Sequence, residues 1–274
     1  MDAKLQRRIQ RYGWDLAVRD YEALWQAQLS DAHTALLQMA AFAPGDRVLD
    51  VACGTGLITF EAARAVGPRG EVVGIDLSGA MVHAAQQRAE EQELSNVAFA
   101  QMDAEALHFP KGRFDTALCA LGLMYVPDPL QSLREMRRVL RPGGRIVLAV
   151  WGRRAHCGWA SVFPIVADEV SSDVCPLFFD LGNADALTRL CADASFQIRE
   201  ERRIATELRY PDAEHACNAM FIGGPVALAW SRFDEPTRQR VRAAYARSIE
   251  GARSGCGYAI PAEFVVVSAE VTDE

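Results

Sequence analysis

Val48-Leu49-Asp50-Val51-Ala52-Cys53-Gly54-Thr55-Gly56 opens as an apolar run and breaks into a glycine turn, and Leu57 to Val66 follows with helical spacing. Strand, tight turn and helix start, in that order, bring the free N–H groups of a helix N-terminus to the carboxyl end of a strand. A ligand bound there approaches the backbone closely, and side chains at Gly54 and Gly56 would obstruct it. The turn is not a phosphate loop, because no Gly-Lys-Ser/Thr follows. It also departs from the dinucleotide fingerprint, whose third glycine would fall at Thr59. A ligand without a pyrophosphate suits it better.

Outward from the turn, the chain alternates. Arg47 to Ala52, Glu71 to Asp76, Asn96 to Gln101, Phe114 to Ala120 and Arg145 to Trp151 read as five short strands. Between them lie helices over Leu57 to Val66, from a Ser78 cap to about Glu91, and over Leu130 to Leu140. Nearly all-apolar strands alternating with helices predict a parallel sheet covered on both faces. Upstream, apolar residues from Tyr21 to Phe42 recur at helical spacing and stop at Pro44-Gly45. Beyond Arg153 the pattern is looser. Helices are expected near Gly158 to Val170, Asp185 to Ala194, Asp212 to Ala219 and Glu235 to Ile249, with strands at Phe196 to Thr206 and Ala262 to Ala269.

Composition narrows the function classes. With 274 residues, 50% hydrophobic and 24% charged, the chain is an ordinary globular one that needs no metal or disulfide staple. A net charge of −7 argues against nucleic acid or an anionic membrane as partner. No apolar run approaches the 18 or so residues of a membrane span, the longest being Ala117 to Val126, so no stable membrane insertion is expected. The basic N-terminus (Lys4, Arg7, Arg8, Arg11) has no apolar stretch behind it and does not read as a secretory signal. Cys53, Cys119, Cys157, Cys175, Cys191, Cys217 and Cys256 are scattered with no CxxC pair, which disfavours a disulfide framework and a zinc site and suits a cytoplasmic protein.

Two further carboxylates fall at strand ends. Asp76 closes the second strand, where it suits a ribose diol with its two hydroxyl donors; its plainer reading is a cap on the helix after Ser78. Asp103, in Met102-Asp103-Ala104, can accept from an exocyclic amine while the next backbone N–H meets a ring nitrogen, a pattern that reads adenine.

Taken together, Leu49 to Gly56, Gly74-Ile75-Asp76-Leu77-Ser78 with Met81, Met102-Asp103-Ala104, Phe114-Asp115, Val126-Pro127-Asp128 and Arg138-Val139-Leu140-Arg141-Pro142-Gly143-Gly144 resemble the class I S-adenosylmethionine-dependent methyltransferases. Within that class the likeness is to the group of the ubiquinone/menaquinone biosynthesis C-methyltransferases, and it runs from about Val48 to Trp151. The resemblance implies a doubly wound, Rossmann-like, seven-stranded sheet, mostly parallel with an antiparallel last strand. It implies S-adenosylmethionine as cofactor. Asp50, Gly54 and Gly56 would hold its methionyl part and Asp76 its ribose, with Ala52 and Thr55 also among the cofactor-binding residues. Leu77 and Met81 would pack on the adenine, Asp103 and Ala104 would bind its edge, and the backbone at Ala120 and Leu121 would meet the ammonium. Two positions depart from the pattern: Ala52 and Ser195 stand where the family usually has glycine.

Methyl transfer asks mainly for alignment of nucleophile, methyl and sulfur, worth about 7–11 kcal/mol in well-oriented systems. A hydroxyl acceptor also needs its proton removed, and histidine is the usual base. His33 and His83 lie on helices, His108 follows Asp103, and His156 sits just past the fifth strand at the substrate edge. His156 and Tyr125 are the catalytic candidates. The expected organisation is one domain, with residues 1–44 as a helical cover (Tyr12, Trp14, Tyr21, Trp25), 45–152 as the cofactor core and 153–274 as a late helical lid completing the sheet. Cys175-Pro176-Leu177-Phe178-Phe179 would form one wall of an apolar acceptor pocket. A small organic acceptor is the expected partner, and the sequence leaves a homo-oligomer open. A nicotinamide-dependent dehydrogenase on a similar fold and a non-catalytic S-adenosylmethionine-binding protein are the alternatives.

Overall fold

A computed structural model describes residues 3–170 and 178–272. Five strands run parallel: β1 (Arg47–Val51), β2 (Glu71–Asp76), β3 (Val97–Gln101), β4 (Phe114–Ala120) and β5 (Leu140–Trp151). The long β6 (Phe196–Tyr210) and β8 (Gly257–Val271) complete the sheet, in the order β3-β2-β1-β4-β5-β8-β6. β8 is antiparallel to both its neighbours, wedged between β5 and β6. These seven strands match the expectation. An eighth, β7 (Arg253–Ser254), pairs with β8 and is too short to show an alternation in sequence.

Val48, Leu49, Ala117, Leu118 and the run from Ile146 to Val150 are fully buried, because helices cover the sheet on both faces as all-apolar parallel strands require. Among those helices α1 (Ala3–Trp25) packs on α4 (Gly79–Glu91), and α2 (Ser30–Ala40) covers β4, β5 and β8. α3 (Leu57–Val66) lies on β1 and β2 and α5 (Pro129–Val139) on β5, with α6 (Val162–Val170) and α7 (Ala186–Asp193) further along the chain. α8 (Ala213–Phe221), α9 (Ala227–Arg232) and α10 (Glu235–Ser248) precede the last hairpin, and α1 also packs on α8 and α9. None of the described helices is long and apolar enough to cross a membrane.

Three readings are corrected. The single helical pattern from Tyr21 to Phe42 is two helices, broken after Trp25, and the first extends back to Ala3. Its outward arginines and glutamines hide the apolar period. β6 runs past Thr206 to Tyr210, because an edge strand paired on one side tolerates the charged Glu207 and Arg209. α9 was not anticipated, since Gly223-Gly224-Pro225 reads as a loop. Ser195, one of the two departures from glycine, takes φ +63 just after α7, so the side chain is accommodated at a modest conformational cost. Of the cysteines, Cys53, Cys119, Cys157, Cys191 and Cys217 are buried free thiols and Cys256 is exposed; Cys175 lies outside the described residues, as do Pro176 and Leu177.

Candidate active site

The carboxyl ends of the parallel strands open into a cavity of about 1050 Å³, mouth included. From β1 and β4 it receives Ala52, Gly54, Ala120 and Leu121; from β2 and α4, Asp76, Leu77 and Met81; from the segment after β3, Asp103 and Ala104. Tyr125 also lines it. Asp50 lines a small adjoining annex with Tyr21 and His33. Thr55, Gly56 and His156 line neither space.

The glycine turn is tied down by Asp76. Its Oδ2 accepts the Gly54 N–H at 2.9 Å and its Oδ1 the Ser78 N–H at 2.8 Å, while the Ser78 Oγ caps α4 by accepting the Met81 N–H at 3.1 Å. Gly54 sits at φ +54, and a Cβ there would meet only Tyr21 at 3.9 Å, so the turn leaves space above it. Gly56 is a glycine for another reason than ligand approach. At φ +90 its Cβ would strike the Phe60 ring at 2.8 Å. Thr55 is buried, and its carbonyl takes the Arg88 guanidinium at 3.3 Å. Ala52 holds φ +58, and Gly122 makes room for it: a Cβ on Gly122 would lie 2.3 Å from that of Ala52.

Below the turn lies unusual electrostatics. Asp50 is buried; its Oδ2 accepts the Thr59 hydroxyl at 2.6 Å, and its Oδ1 has no partner. Thr59, the residue that breaks the dinucleotide fingerprint, is therefore the one that orients Asp50. Burial pushes the Asp50 carboxyl up to about 7, Asp76 adds to the rise, and the Thr59 bond opposes it. Asp76 is also raised by burial, against the pull of the Ser78 and Gly54 amides. No cationic side chain among the described residues accounts for either group. The Tyr21 phenol is held protonated by burial and by these two carboxylates. Burial lowers His33 to about 4, so it is neutral at pH 7. Two desolvated carboxylates, one with an orphaned oxygen, suit a ligand that brings positive charge.

At the other end of the turn, α1 is clamped across the loop after β3. Arg7 Nε meets Asp103 Oδ2 at 2.8 Å and Glu105 Oε2 at 2.7 Å, while Glu105 Oε1 accepts the Asp128 N–H at 2.9 Å. Asp103 Oδ1 accepts the Glu105 N–H at 2.9 Å. Asp15 accepts the Ser78 hydroxyl at 2.5 Å. Tyr21 takes the place expected of the helical cover, whereas Tyr12, expected beside it, is exposed and lines neither space. Site roles for Arg7, His33 and Thr59 were not anticipated; Arg7 meets Asp103 and Glu105 from almost a hundred residues away, which no local spacing announces.

The far wall is aromatic. Tyr125 stands edge-on to Trp14 at 5.3 Å and to Phe178 at 5.2 Å, and Trp159 meets Trp151 at 4.7 Å and Phe178 at 5.6 Å. Phe178 lines the cavity, whereas Phe179 does not and packs on Trp159 and Phe163. The Trp159 Nε1 is a buried donor with no partner. Leu121, at φ +59, is pinned by its N–H to the Ala149 carbonyl at 2.8 Å. The expectation for His156 is corrected here. Its Nδ1 lies 2.8 Å from Glu263 Oε1, which also accepts through Oε2 from the Arg153 N–H, so the ring ties the end of β5 to β8 outside the cavity. His108 is exposed and lies off the cavity as well.

Residues 42–168 match the family described as "Methyltransferase domain". The chain is 45% identical over 103 residues to a demethylmenaquinone methyltransferase of Lactococcus lactis, covering 38% of this chain and 41% of that one. It is 38% identical over 151 residues to a ubiquinone/menaquinone biosynthesis C-methyltransferase of Ectopseudomonas mendocina, covering 55% and 57%. The matches thus span about half the length of these curated relatives. Among solved structures, protein BH2331 of Bacillus halodurans superposes with a TM-score of 0.65 at 20% identity, over 89% of this chain and 100% of that one, a likeness of fold. The segment from residue 42 to 168, which carries the glycine turn, the strand-end carboxylates and most of the cavity floor, belongs to the methyltransferase domain family, with the resemblance to the class I S-adenosylmethionine-dependent enzymes carried by the same residues.

Proposed function

We propose that this chain transfers a methyl group from S-adenosylmethionine to a small apolar or aromatic acceptor. The observation that carries the reading is the uncompensated carboxylate floor, with the unpartnered Oδ1 of Asp50, opening beside an aromatic wall. S-adenosylmethionine supplies a methyl electrophile on a sulfonium, together with an ammonium and a ribose diol. Asp50 takes the ammonium, helped by the backbone at Ala120 and Leu121. Asp76 accepts ribose hydroxyls on lone pairs its two amide donors leave over. Leu77 and Met81 pack on the adenine, and Asp103 with Ala104 reads its edge.

The acceptor then lies against Trp14, Tyr125, Trp151, Trp159 and Phe178, which exclude water and align it. With His156 turned to Glu263, Tyr125 is the remaining candidate that reaches the cavity, where its phenol can hold an acceptor oxygen; the Trp159 Nε1 offers a second donor. The relatives' names make a quinone-type ring the first acceptor to assay. The buried free thiols suit a reducing, cytoplasmic setting.

Calorimetry with S-adenosylmethionine, its demethylated product and NADH, followed by transfer of labelled methyl to a panel of quinols, phenols and amines, tests the proposal. Saturable binding of the methyl donor with acceptor-dependent label transfer is expected. Binding of NADH in its place would favour the dehydrogenase reading, and binding without turnover on any acceptor the non-catalytic one.

Phe178 divides acceptor from cofactor. Phe178→Leu is expected to raise the acceptor KM about tenfold, the cost of roughly one to two lost methylene-sized contacts, while S-adenosylmethionine affinity stays within about threefold. The truncation to Ala would cost about 3–5 kcal/mol of stability, which makes Leu the cleaner probe. Collapse of cofactor binding with unchanged acceptor kinetics would place Phe178 on the wrong side of the cavity.

A further inference from the structure

The outer face of α1 carries an apolar stripe that the described residues leave partly exposed. Leu5, Ile9, Tyr12 and Leu16 are 37, 36, 45 and 49% exposed; among the described residues Val170 is the other large apolar side chain exposed to this degree. Steps of four, three and four residues put all of them on one side of the helix. The opposite side carries Trp14, Tyr21 and Trp25 to the cavity. Charge follows the stripe. Between Ala3 and Arg11 the helix has Lys4, Arg7, Arg8 and Arg11 and no acidic residue, in a chain whose net charge is −7. Arg7 turns inward to Asp103 and Glu105, whereas Arg11 lies over the Tyr12 ring at 4.8 Å and Arg8 and Arg19 are exposed along one flank of the stripe. Of the acidic residues of α1, Asp15 accepts from the Ser78 hydroxyl and Glu22 pairs with Arg88, while the partly buried Asp20 lies one turn beyond Leu16 at the far end of the stripe.

We propose that α1 docks this protein on an anionic phospholipid surface. Leu5, Ile9, Tyr12 and Leu16 enter the headgroup boundary while Arg8, Arg11 and Arg19 meet lipid phosphates. A short apolar stripe with a basic flank, amphipathic aromatic included, is the chemistry of an interfacial helix and not of a membrane span. The acidic character of the chain as a whole, which argued against such a surface, is reversed locally on this helix. The same helix walls the cavity with its other side, so docking holds the cavity about one helix diameter from the lipid, the phase in which an apolar acceptor concentrates.

The test is co-sedimentation of the full chain with phosphatidylcholine vesicles, with and without about a third phosphatidylglycerol. Binding is expected to be at least about fivefold greater on the anionic vesicles and to fall as salt is added. Ile9→Asp with Leu16→Asp should return it to the neutral-vesicle level, as should Arg8→Glu with Arg19→Glu, with melting temperature and cofactor affinity unchanged. Equal sedimentation with both vesicles, no sedimentation with either, or undiminished binding by both variants would overturn the proposal. So would a dimer of the native chain that Ile9→Asp with Leu16→Asp dissolves, which would assign the stripe to a second copy. Vesicle binding is read without cofactor or acceptor, so its failure leaves the methyl-transfer reading untouched, and the converse.

Discussion

Asp76→Ala is expected to weaken S-adenosylmethionine binding by a factor on the order of 10²–10³. The size follows from two losses at one site. The first is direct, the charge-assisted bonds to the ribose diol, each worth about 1.5–3 kcal/mol. The second acts through the glycine turn: Oδ2 holds the Gly54 N–H at 2.9 Å and Oδ1 the Ser78 N–H at 2.8 Å, and both donors lose their acceptor together. Gly54, with φ +54 and open space above it, has little else to hold its shape. Folding stability should fall by less than binding. Removing one of two neighbouring buried carboxylates relieves Asp50, whose own carboxyl is raised partly by Asp76. Titration calorimetry beside thermal melts measures both effects, and an affinity within about threefold of the native one would remove Asp76 from the ribose site.

The two ends of this site were unequally legible in the sequence. Asp76, Asp103 and the glycines stand at the ends of short apolar strands, and in a doubly wound sheet strand ends converge by construction, so their meeting follows from the strand pattern. The helix boundaries at Leu57, Val66 and Gly79 were legible for a similar reason: Gly56, Gly67 and Ser78 are local signals. The aromatic wall was half legible. Trp14, Tyr125 and Phe178 could be named as cleft residues, but Phe178 and Phe179 are adjacent in sequence and only packing shows that one lines the cavity while the other buttresses Trp159. His156 illustrates the opposite failure. Its position past β5 is where a base would stand, and the partner that turns it away, Glu263, lies on β8, more than a hundred residues on. Arg7 clamps Asp103 across almost a hundred residues. Contacts of that kind have no periodicity to betray them.

Asp50 is expected to make both stability and cofactor affinity depend on pH, in opposite directions. Its carboxyl titrates near 7 in the folded chain and near its ordinary value of 3.8 once unfolded. Between those values the folded chain holds a proton that the unfolded chain releases, so the Asp50 contribution to stability is fullest below about pH 4 and is lost as pH rises through 7, levelling above it, a trend read as the difference between the native chain and the Asn variant. Binding runs the other way. A cationic ammonium is matched by the ionised carboxylate, whose Oδ1 has no other partner, and below 7 the ligand must first expel the proton. Affinity should therefore climb from pH 5 to about 7, by as much as about tenfold per unit where Asp50 is mostly protonated. Asp50→Asn is expected to abolish both trends at once. At pH 8 it should leave the free protein more stable than the native chain, because one of the two buried charges is gone, yet bind S-adenosylmethionine about 10–100-fold more weakly, since an amide oxygen replaces a carboxylate opposite the ammonium. Thr59 donates to Oδ2 and can still donate to the asparagine oxygen, so the substitution preserves the local packing. Melting curves and calorimetry at several pH values on both proteins separate the outcomes. If the affinity of the native chain is flat from pH 5 to 7, or if the Asn variant retains the slope, the ammonium is held elsewhere and the orphaned oxygen of Asp50 has another purpose.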